Sequence, residues 1–237
     1  MRILLISSMA IILSYQLIPN FIERHFDQQV IRRFSAQKNE IALTFDDGPS
    51  PVYTPELLDL LKEQDVHATF FLVAENAQAY PEIVKRMARE GHSIGLHSLN
   101  HRGFWLETPK QTRLDFEESL QIFQDMKIEL IGFRPPWGTF NALTRHYANK
   151  ADLPIYLWSR NANDWEIETQ ASDIVSRITK NLSAGEIIVL HDAGGDPQAP
   201  KHTIEALGSI LAQMKKTFRF IPLKGGNPHE LDTRPVS

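Results

Sequence analysis

The 237-residue chain contains no cysteine. A disulfide framework, a thiolate nucleophile and a zinc site with cysteine ligands are therefore excluded. Charge of one sign is not concentrated in any segment, and the formal net charge is only −4. Because nucleic-acid binding requires a concentrated basic face, we expect no nucleic-acid partner. Nothing in the composition implies a protein partner either.

Extended apolar stretches are also scarce, apart from residues 3–18, which follow the single positive charge of Arg2. This order is typical of a signal sequence, but no Ala-x-Ala-like cleavage site follows it. The stretch is just short of the roughly 17–25 residues that span a bilayer. We expect an extracytoplasmic protein, either secreted or membrane-anchored through residues 3–18. A buried N-terminal helix is the alternative.

The whole chain divides into three parts. Residues 1–18 form the expected signal peptide or anchor, and the polar, charged residues 19–38 predict a linker after it. Residues 39–237 predict one folded domain, because a hydrophobic content of 42% is ordinary for a globular protein.

From residue 41 onward, short apolar runs alternate with helical patterns. Helices are predicted to begin at Thr54-Pro55, Pro81 and Thr108-Pro109, where proline occupies the first turn. Further helical patterns lie at residues 141–150, 174–182 and 204–211. The predicted strands are residues 41–45, 68–73, 93–96, 131–133, 154–158, 186–190 and 218–223. Seven strands alternating with helices predict parallel βαβ units, arranged as a barrel or as an open doubly wound sheet.

The position of the chemically active residues separates these two architectures. Each lies at or just after the carboxyl end of a predicted strand, and five different strands contribute. The residues are Asp46, Asp47, His97, His101, Arg134, Asp164 and His191. In an open sheet the ligand crevice lies at one switch point, whereas a barrel collects its active site along the whole carboxyl rim. We therefore predict an α/β fold with a TIM-barrel-like arrangement.

Adjacent carboxylates follow the first strand in the segment Asp46-Asp47-Gly48-Pro49. Aspartate, glycine and proline are also the residues of a tight turn, which is the simpler interpretation of this segment alone. The chemical interpretation is that the two side chains diverge. One carboxylate would then bind a cation, and the other would face a water molecule and act as a base.

His97 and His101 are four residues apart after the third strand. Such pairs are common on surfaces, but two imidazoles and a carboxylate can also form a three-ligand metal site that leaves a position open for water. Together with a second carboxylate, this set of residues predicts a hydrolase.

Three further residues have a structural and a chemical interpretation. Arg134 is either a solvated residue of a rim loop or a permanent charge that keeps a carboxylate ionised and oriented. Asp164 either caps a helix or takes part in the site. His191 follows a buried strand, where a single histidine is more often packed than catalytic. Their common placement on one rim favours the chemical interpretation.

In this order and spacing, the segments resemble the polysaccharide deacetylase family, also called carbohydrate esterase family 4 or the NodB-homology domain. The resemblance covers nearly all of residues 40–225 and includes five motifs. It implies a distorted (β/α)7 barrel, a divalent metal and hydrolysis of acetyl groups on glycans. Residues 39–237 would be the catalytic domain.

The resemblance also implies a role for each site residue. Asp47, His97 and His101 match the metal ligands, and Asp46 matches the general base that Arg134 orients. His191 matches the general acid, and Asp164 is its carboxylate partner. The remaining matches are the Trp137 N–H, as an oxyanion donor, and the apolar side chains around the acetyl methyl group, Trp165 and Val189.

Two positions depart from the family pattern. Asn161 stands where an aspartate is common, and Trp137 where a tyrosine is common. Both departures concern substrate fit, since neither removes an expected ligand, base or acid.

The expected function is metal-dependent removal of N-acetyl groups from amino sugars of a cell-wall or matrix polysaccharide such as peptidoglycan or chitin. Zinc is the expected metal, with Co²⁺, Ni²⁺, Fe²⁺ and Mn²⁺ as alternatives. The alternative functions are an O-acetyl xylan esterase, a small-molecule amidase and a non-catalytic glycan-binding barrel.

Overall fold

A computed structural model describes residues 12–36 and 39–225 of the protein. Residues 1–11, which contain much of the predicted signal peptide or anchor, lie outside the described residues. Within the described ranges, none of the helices combines the length and the apolar character that crossing a bilayer requires.

The centre of the fold is a sheet of parallel strands built around the first strand. Its hydrogen-bonded order is β3-β2-β1-β5-β4, and β6 pairs with the start of β1. The strands are β1 (Glu40–Asp46), β2 (Thr69–Leu72), β3 (Ser93–Leu96), β4 (Arg160–Asn161), β5 (Ile187–His191) and β6 (Arg219–Phe220). In this register Asp46 lies opposite His191, so the carboxyl ends of the strands meet at one rim.

Single β-bridges join the two edges of this sheet. Leu96 bridges to Phe133 and Phe133 to Ile155, and the same segment continues into β4, which pairs with β5. The predicted parallel barrel is thereby confirmed in a distorted form. The expected strands at 131–133 and 154–158 are reduced to bridges. The Phe133 N–H donates to the Pro154 carbonyl oxygen and the Tyr156 N–H to that of Phe133, but Pro154 has no N–H with which to extend the ladder.

The barrel core is apolar on both faces of the central strand. Every residue of β1 is buried, as expected for a parallel strand covered on both sides. Phe45 stacks on Phe70 of the neighbouring strand, with ring centroids 5.3 Å apart. This packing fixes β1, and therefore the two aspartates at its end.

Helices cover the outside of the barrel. They are α1 (Ile18–His25), α2 (Tyr53–Glu63), α3 (Ala74–Ala79), α4 (Pro81–Arg89), α5 (Pro109–Asp125), α6 (Thr144–Lys150), α7 (Ala171–Thr179) and α8 (Ala199–Met214). Thr108 and Gln111 form a capping box at the start of α5, which agrees with the predicted start of that helix. Helix α3 was not predicted from the sequence, because six residues with only two inward-facing alanines give no clear periodicity.

Part of the segment expected to be a linker packs against the barrel. A π-helical turn (Leu13–Leu17) leads into α1, and the chain then runs along the barrel wall. Ile31 bridges to Tyr156, and Arg33 bridges to Glu186 just before β5. Ile31 is 3% exposed. The many charges of residues 19–38 suggested a solvated linker, but Val30 and Ile31 within this segment are buried.

This packing predicts that Ile31 contributes to the stability of the catalytic domain. Ile31→Ala should lower the free energy of unfolding by about 2–5 kcal/mol, because truncation leaves a cavity between the segment and the barrel. Ile22→Ala is the matched control: Ile22 is 49% exposed and should change the value by about 0.5 kcal/mol or less. Urea unfolding of both variants measures the difference. Equal stability would contradict the docking of this segment.

Candidate active site

The carboxyl rim of the barrel contains a cleft of about 420 Å³. The ends of β1, β3, β4 and β5 and the loops after them provide most of its polar side chains, α1 adds Arg24, and three tryptophans provide much of its apolar surface. The lining residues are Arg24, Asp46, Asp47, His97, His101, Trp137, Trp158, Asn161, Trp165, Val189, His191 and Gly195. The structure thus brings eight of the ten predicted site residues into one cleft, and the other two, Arg134 and Asp164, lie directly behind it.

Three of these residues form a cluster of potential metal ligands. Asp47 Oδ1 lies 2.9 Å from His101 Nε2 and 3.3 Å from His97 Nε2. One ligand atom of each residue lies within 4.8 Å of the others. A carboxylate and two imidazoles at this separation match the nitrogen and oxygen donors of a divalent transition metal.

Hydrogen bonding around the cluster supports this interpretation. His97 Nδ1 lies 2.7 Å from the Arg134 carbonyl oxygen, so it carries the proton and leaves the Nε2 lone pair free to bind a cation. Asp47 Oδ1 is buried and, among the described residues, accepts no hydrogen bond despite the two nearby imidazoles. Burial raises the pKa of the Asp47 carboxyl, but His101 and His97 outweigh that effect and hold the pKa well below its usual range. The residues therefore fit a divalent metal ion.

The ligand loops are held in unusual backbone conformations. Asp47, Ser98 and His101 have φ angles of 74°, 69° and 57°, in the left-handed region that non-glycine residues seldom adopt. Such strain persists only where surrounding contacts determine the conformation. Ser98 Oγ accepts a hydrogen bond from the His101 N–H, and Asp115 Oδ2 accepts one from the Leu99 N–H.

Asp46, next to these ligands, pairs with Arg134 through one of its carboxylate oxygens. Arg134 Nη1 donates to Asp46 Oδ1 over 2.6 Å, and its guanidinium also donates to Thr44 Oγ1 and to the Leu157 carbonyl oxygen. The Arg134 side chain is fully buried, with its guanidinium carbon 4.0 Å from the centre of the Phe71 ring. Burial lowers the pKa of Arg134, and Asp46 partly compensates.

His191 and Asp164 form a second pair on the opposite side of the cleft. His191 Nδ1 lies 2.9 Å from Asp164 Oδ1, while Asp164 Oδ2 accepts hydrogen bonds from the His191 N–H and from Thr203 Oγ1. Burial lowers the pKa of the imidazole, but Asp164 outweighs burial, and the net effect raises the pKa of His191 to about 9. His191 is therefore protonated at neutral pH.

The remaining predicted residues line the cleft between these pairs. Trp137 has a φ of 52°, and its ring lies 4.4 Å from the His101 ring. Among the residues that the structure describes, none accepts a hydrogen bond from the Trp137 N–H. The Trp165 ring lies edge-on to His191, 5.2 Å away, and Val189 is buried in the cleft wall.

Several residues that support the site were missed by the sequence analysis. Gly194 has a φ of 69°, and a Cβ atom there would lie only 2.0 Å from Asp47 Oδ2, so only glycine fits beside this ligand. Thr54 donates to the buried carboxylate of Asp192, which lies against Gly48. Burial raises the pKa of Asp192 to about 7. None of these contacts follows a sequence periodicity, although Gly194-Gly195 marks a loop that requires glycine.

Comparison with known proteins supports the interpretation of this cleft as an active site. The family model described as polysaccharide deacetylase matches residues 34–156. A Bacillus cereus protein described as a peptidoglycan-N-acetylglucosamine deacetylase is 37% identical, over 76% of this chain and 84% of its own length.

The chain belongs to the polysaccharide deacetylase family.

Solved structures of related enzymes have the same fold as this deacetylase. The Bc1960 peptidoglycan N-acetylglucosamine deacetylase has a TM-score of 0.76 and 33% identity, covering 82% of this chain and 91% of that one. An acetyl xylan esterase of family 4 from Clostridium thermocellum has a TM-score of 0.68 and 32% identity, with coverages of 77% and 87%. The predicted family, fold class and hydrolase activity are thus confirmed. The roles of the individual site residues stay predictions.

The His191–Asp164 pair predicts a measurable pKa difference. In the metal-free protein, the His191 imidazole should lose its proton as the pH rises through about 9. In Asp164→Asn the pKa of His191 should fall, because the charge and the hydrogen bond that oppose the effect of burial most strongly are removed, leaving only the charges of Asp47 and Asp46. NMR titration of the His191 ring measures both values.

Asp152→Asn is the control for this titration, since Asp152 is an exposed aspartate outside the cleft. Asp152→Asn should leave the His191 titration unchanged. An unshifted His191 pKa in Asp164→Asn would show that Asp164 does not hold the proton on the imidazole.

The contact between Asp115 and the ligand loop predicts an effect on metal affinity. Asp115→Ala removes the acceptor for the Leu99 N–H, midway between the two histidine ligands, and should weaken zinc binding about 10-fold or more. Asp115→Asn keeps an acceptor oxygen and should restore most of the affinity.

Competition with a zinc-binding dye measures these affinities. Asp125→Ala serves as the control, because Asp125 is exposed at the end of the same helix. Unchanged affinity in Asp115→Ala would show that the loop holds its conformation without this hydrogen bond.

Proposed function

We propose that the protein is a metal-dependent N-deacetylase acting on amino sugars of peptidoglycan. The observation that carries this proposal is the placement of three potential metal ligands between a carboxylate held by an arginine and a protonated histidine. Amide hydrolysis needs a group that accepts a proton from water and another that donates one to the departing nitrogen. The Bacillus cereus relative and the Bc1960 enzyme, both described as peptidoglycan N-acetylglucosamine deacetylases, support the choice of substrate.

Asp47, His97 and His101 would hold the metal, and we propose zinc because their donors are nitrogen and oxygen. When bound, the metal supplies Lewis-acid chemistry, polarising a carbonyl group and making water more acidic. The three side chains provide nitrogen and oxygen donors for such a metal without a cysteine ligand.

Asp46 is the proposed general base. Its Oδ1 atom is held by Arg134, while its Oδ2 atom lies 3.9 Å from His97 Nε2, on the side of the metal ligands. The free oxygen can therefore take the proton of a water molecule that attacks the acetyl carbonyl carbon. A positioned base of this kind contributes about 10²–10⁴ in rate.

His191 is the proposed general acid. Its Nδ1 atom is engaged by Asp164, which leaves the Nε2 proton directed toward the cleft. That proton goes to the sugar nitrogen as the carbon–nitrogen bond breaks, so the leaving group departs as an amine.

The substrate's acetyl group is proposed to bind between the tryptophans. The Trp137 N–H can donate to the oxyanion that develops on the acetyl carbonyl oxygen. Val189 and Trp165 line the cleft beside His191, and they offer an apolar surface to the methyl group.

An O-acetyl xylan esterase is the second candidate function. It rests on the similarity to the Clostridium thermocellum acetyl xylan esterase, and it uses the same base and metal ligands. An ester differs from an amide in its leaving group, an alcohol that is released more easily than an amine. The two functions are therefore separated by substrate rather than by site residues.

The proposed location of the enzyme is outside the cytoplasmic membrane. The positive charge of Arg2 followed by the apolar residues 3–18 supports export, with or without retention of the segment as an anchor. Peptidoglycan as substrate agrees with this location.

The proposal predicts different effects for two variants. Asp46→Asn should keep its zinc, because the ligands remain, and its turnover should fall about 10²–10⁴-fold, because the base is removed. His97→Ala should lose both the zinc and the turnover. Acetate release from N-acetylated peptidoglycan, chitooligosaccharide and acetylated xylan measures the activity, and atomic absorption measures the zinc.

The substrate series separates the candidate functions. Release from the amino-sugar polymers supports the N-deacetylase, whereas release from xylan alone would identify an esterase. No release from any substrate by the zinc-loaded enzyme would overturn both. Equal zinc loss in Asp46→Asn and His97→Ala would contradict the separate roles of base and ligand.

A further inference from the structure

The N-terminal helix α1 forms part of the wall of the catalytic cleft. Arg24, near the end of this helix, lines the same cleft as the potential metal ligands and His191. Arg24 lies in the segment predicted to be a linker, and none of the five motifs includes it. A segment outside the motifs thus adds a charged side chain to the site.

The backbone of α1 is fixed against the barrel. The Phe140 N–H donates to Asn20 Oδ1 over 2.8 Å, and Arg145 Nε donates to both Glu23 carboxylate oxygens over 3.1 and 3.0 Å. Arg32 donates to the carbonyl oxygens of Glu23 and Arg24. Contacts on both sides of Arg24 therefore hold its Cα at the cleft.

The charge of Arg24 is not neutralised in the described part of the chain. The neighbouring arginines are engaged, since Arg145 pairs with Glu23 and Arg32 binds backbone carbonyl oxygens. Arg24 is exposed, and across residues 12–36 and 39–225 its guanidinium has no carboxylate or hydrogen-bond acceptor. Its five N–H donors are available to a ligand in the cleft.

The other charges of the cleft are already paired. Asp46 pairs with Arg134, Asp164 with His191, and Asp47 faces two imidazoles. Arg24 is therefore the cleft residue whose charge remains for the substrate. A guanidinium binds a carboxylate through two parallel hydrogen bonds, a geometry that neutral sugar hydroxyls do not match.

We propose that Arg24 is a specificity-determining residue that binds a carboxylate of the glycan substrate beside the sugar being deacetylated. The inference rests on the proposed deacetylase function and refines its substrate class to an acidic glycan. Peptidoglycan carries such carboxylates on its peptide groups and on muramic acid residues that bear no peptide, whereas chitooligosaccharides are neutral. Helix α1 thus makes the cleft selective for the anionic polymer.

The test compares three soluble substrates on the full zinc-loaded chain in mild detergent. They are a peptidoglycan tetrasaccharide with free carboxyl groups, the same tetrasaccharide with those groups converted to methyl amides, and chitotetraose. Arg24→Gln should raise KM for the acidic tetrasaccharide about fivefold, the size of an exposed ion pair, and leave its kcat within about twofold. KM for the amidated tetrasaccharide and for chitotetraose should stay unchanged.

Two further variants control for charge and structure. Arg24→Lys keeps the charge and should retain part of the preference for the acidic substrate. Arg113→Gln makes the same change in net charge on α5, where Arg113 pairs with Glu117 away from the cleft, and it should have no effect. High salt should reduce the preference of the unaltered enzyme and leave that of Arg24→Gln unchanged.

The outcomes separate this inference from the proposed function. In one outcome the unaltered enzyme releases acetate, but the KM values of Arg24→Gln are unchanged or rise equally for all three substrates. This result would overturn the role of Arg24 and leave the proposed function standing. No acetate release by the unaltered enzyme from any of the three would overturn the proposed function, and the inference with it.

Discussion

The buried ion pair between Arg134 and Asp46 is the interaction on which the rest of the site depends. An unpaired charge in the interior is costly, so a fully buried guanidinium requires both a carboxylate and further acceptors. Thr44 on β1 and the Leu157 carbonyl oxygen provide those acceptors. The pair therefore ties β1 to the two barrel segments that lack continuous ladders, and it fixes one carboxylate at the floor of the cleft.

This constraint gives two adjacent aspartates different environments. Asp46 turns toward the barrel interior and Arg134, while Asp47 adopts a left-handed backbone conformation and turns toward the two histidines. The Arg134 carbonyl oxygen also sets the tautomer of His97. One residue thus orients the proposed base through its side chain and a proposed metal ligand through its backbone.

The alternation of strands and helices, and the position of polar residues at strand ends, were sufficient to predict the barrel and the residues gathered on its rim. The contacts behind the site were not predictable in this way. Gly194 beside Asp47, Asp115 beneath the histidine loop and Thr203 behind Asp164 depend on chain crossings that local periodicity does not encode. Arg24 was missed because the charges of its segment suggested a linker, whereas Val30 and Ile31 anchor that segment to the barrel.

The division of roles between Asp46 and Asp47 is the central claim, and a crystal structure of the zinc-loaded enzyme tests it most directly. Anomalous scattering at the zinc edge should show one ion about 2.0–2.2 Å from Asp47, His97 and His101. Asp46 should remain bound to Arg134 and should not ligate the ion. An ion ligated by Asp46, or an ion that lacks His97 or His101 as a ligand, would contradict the account.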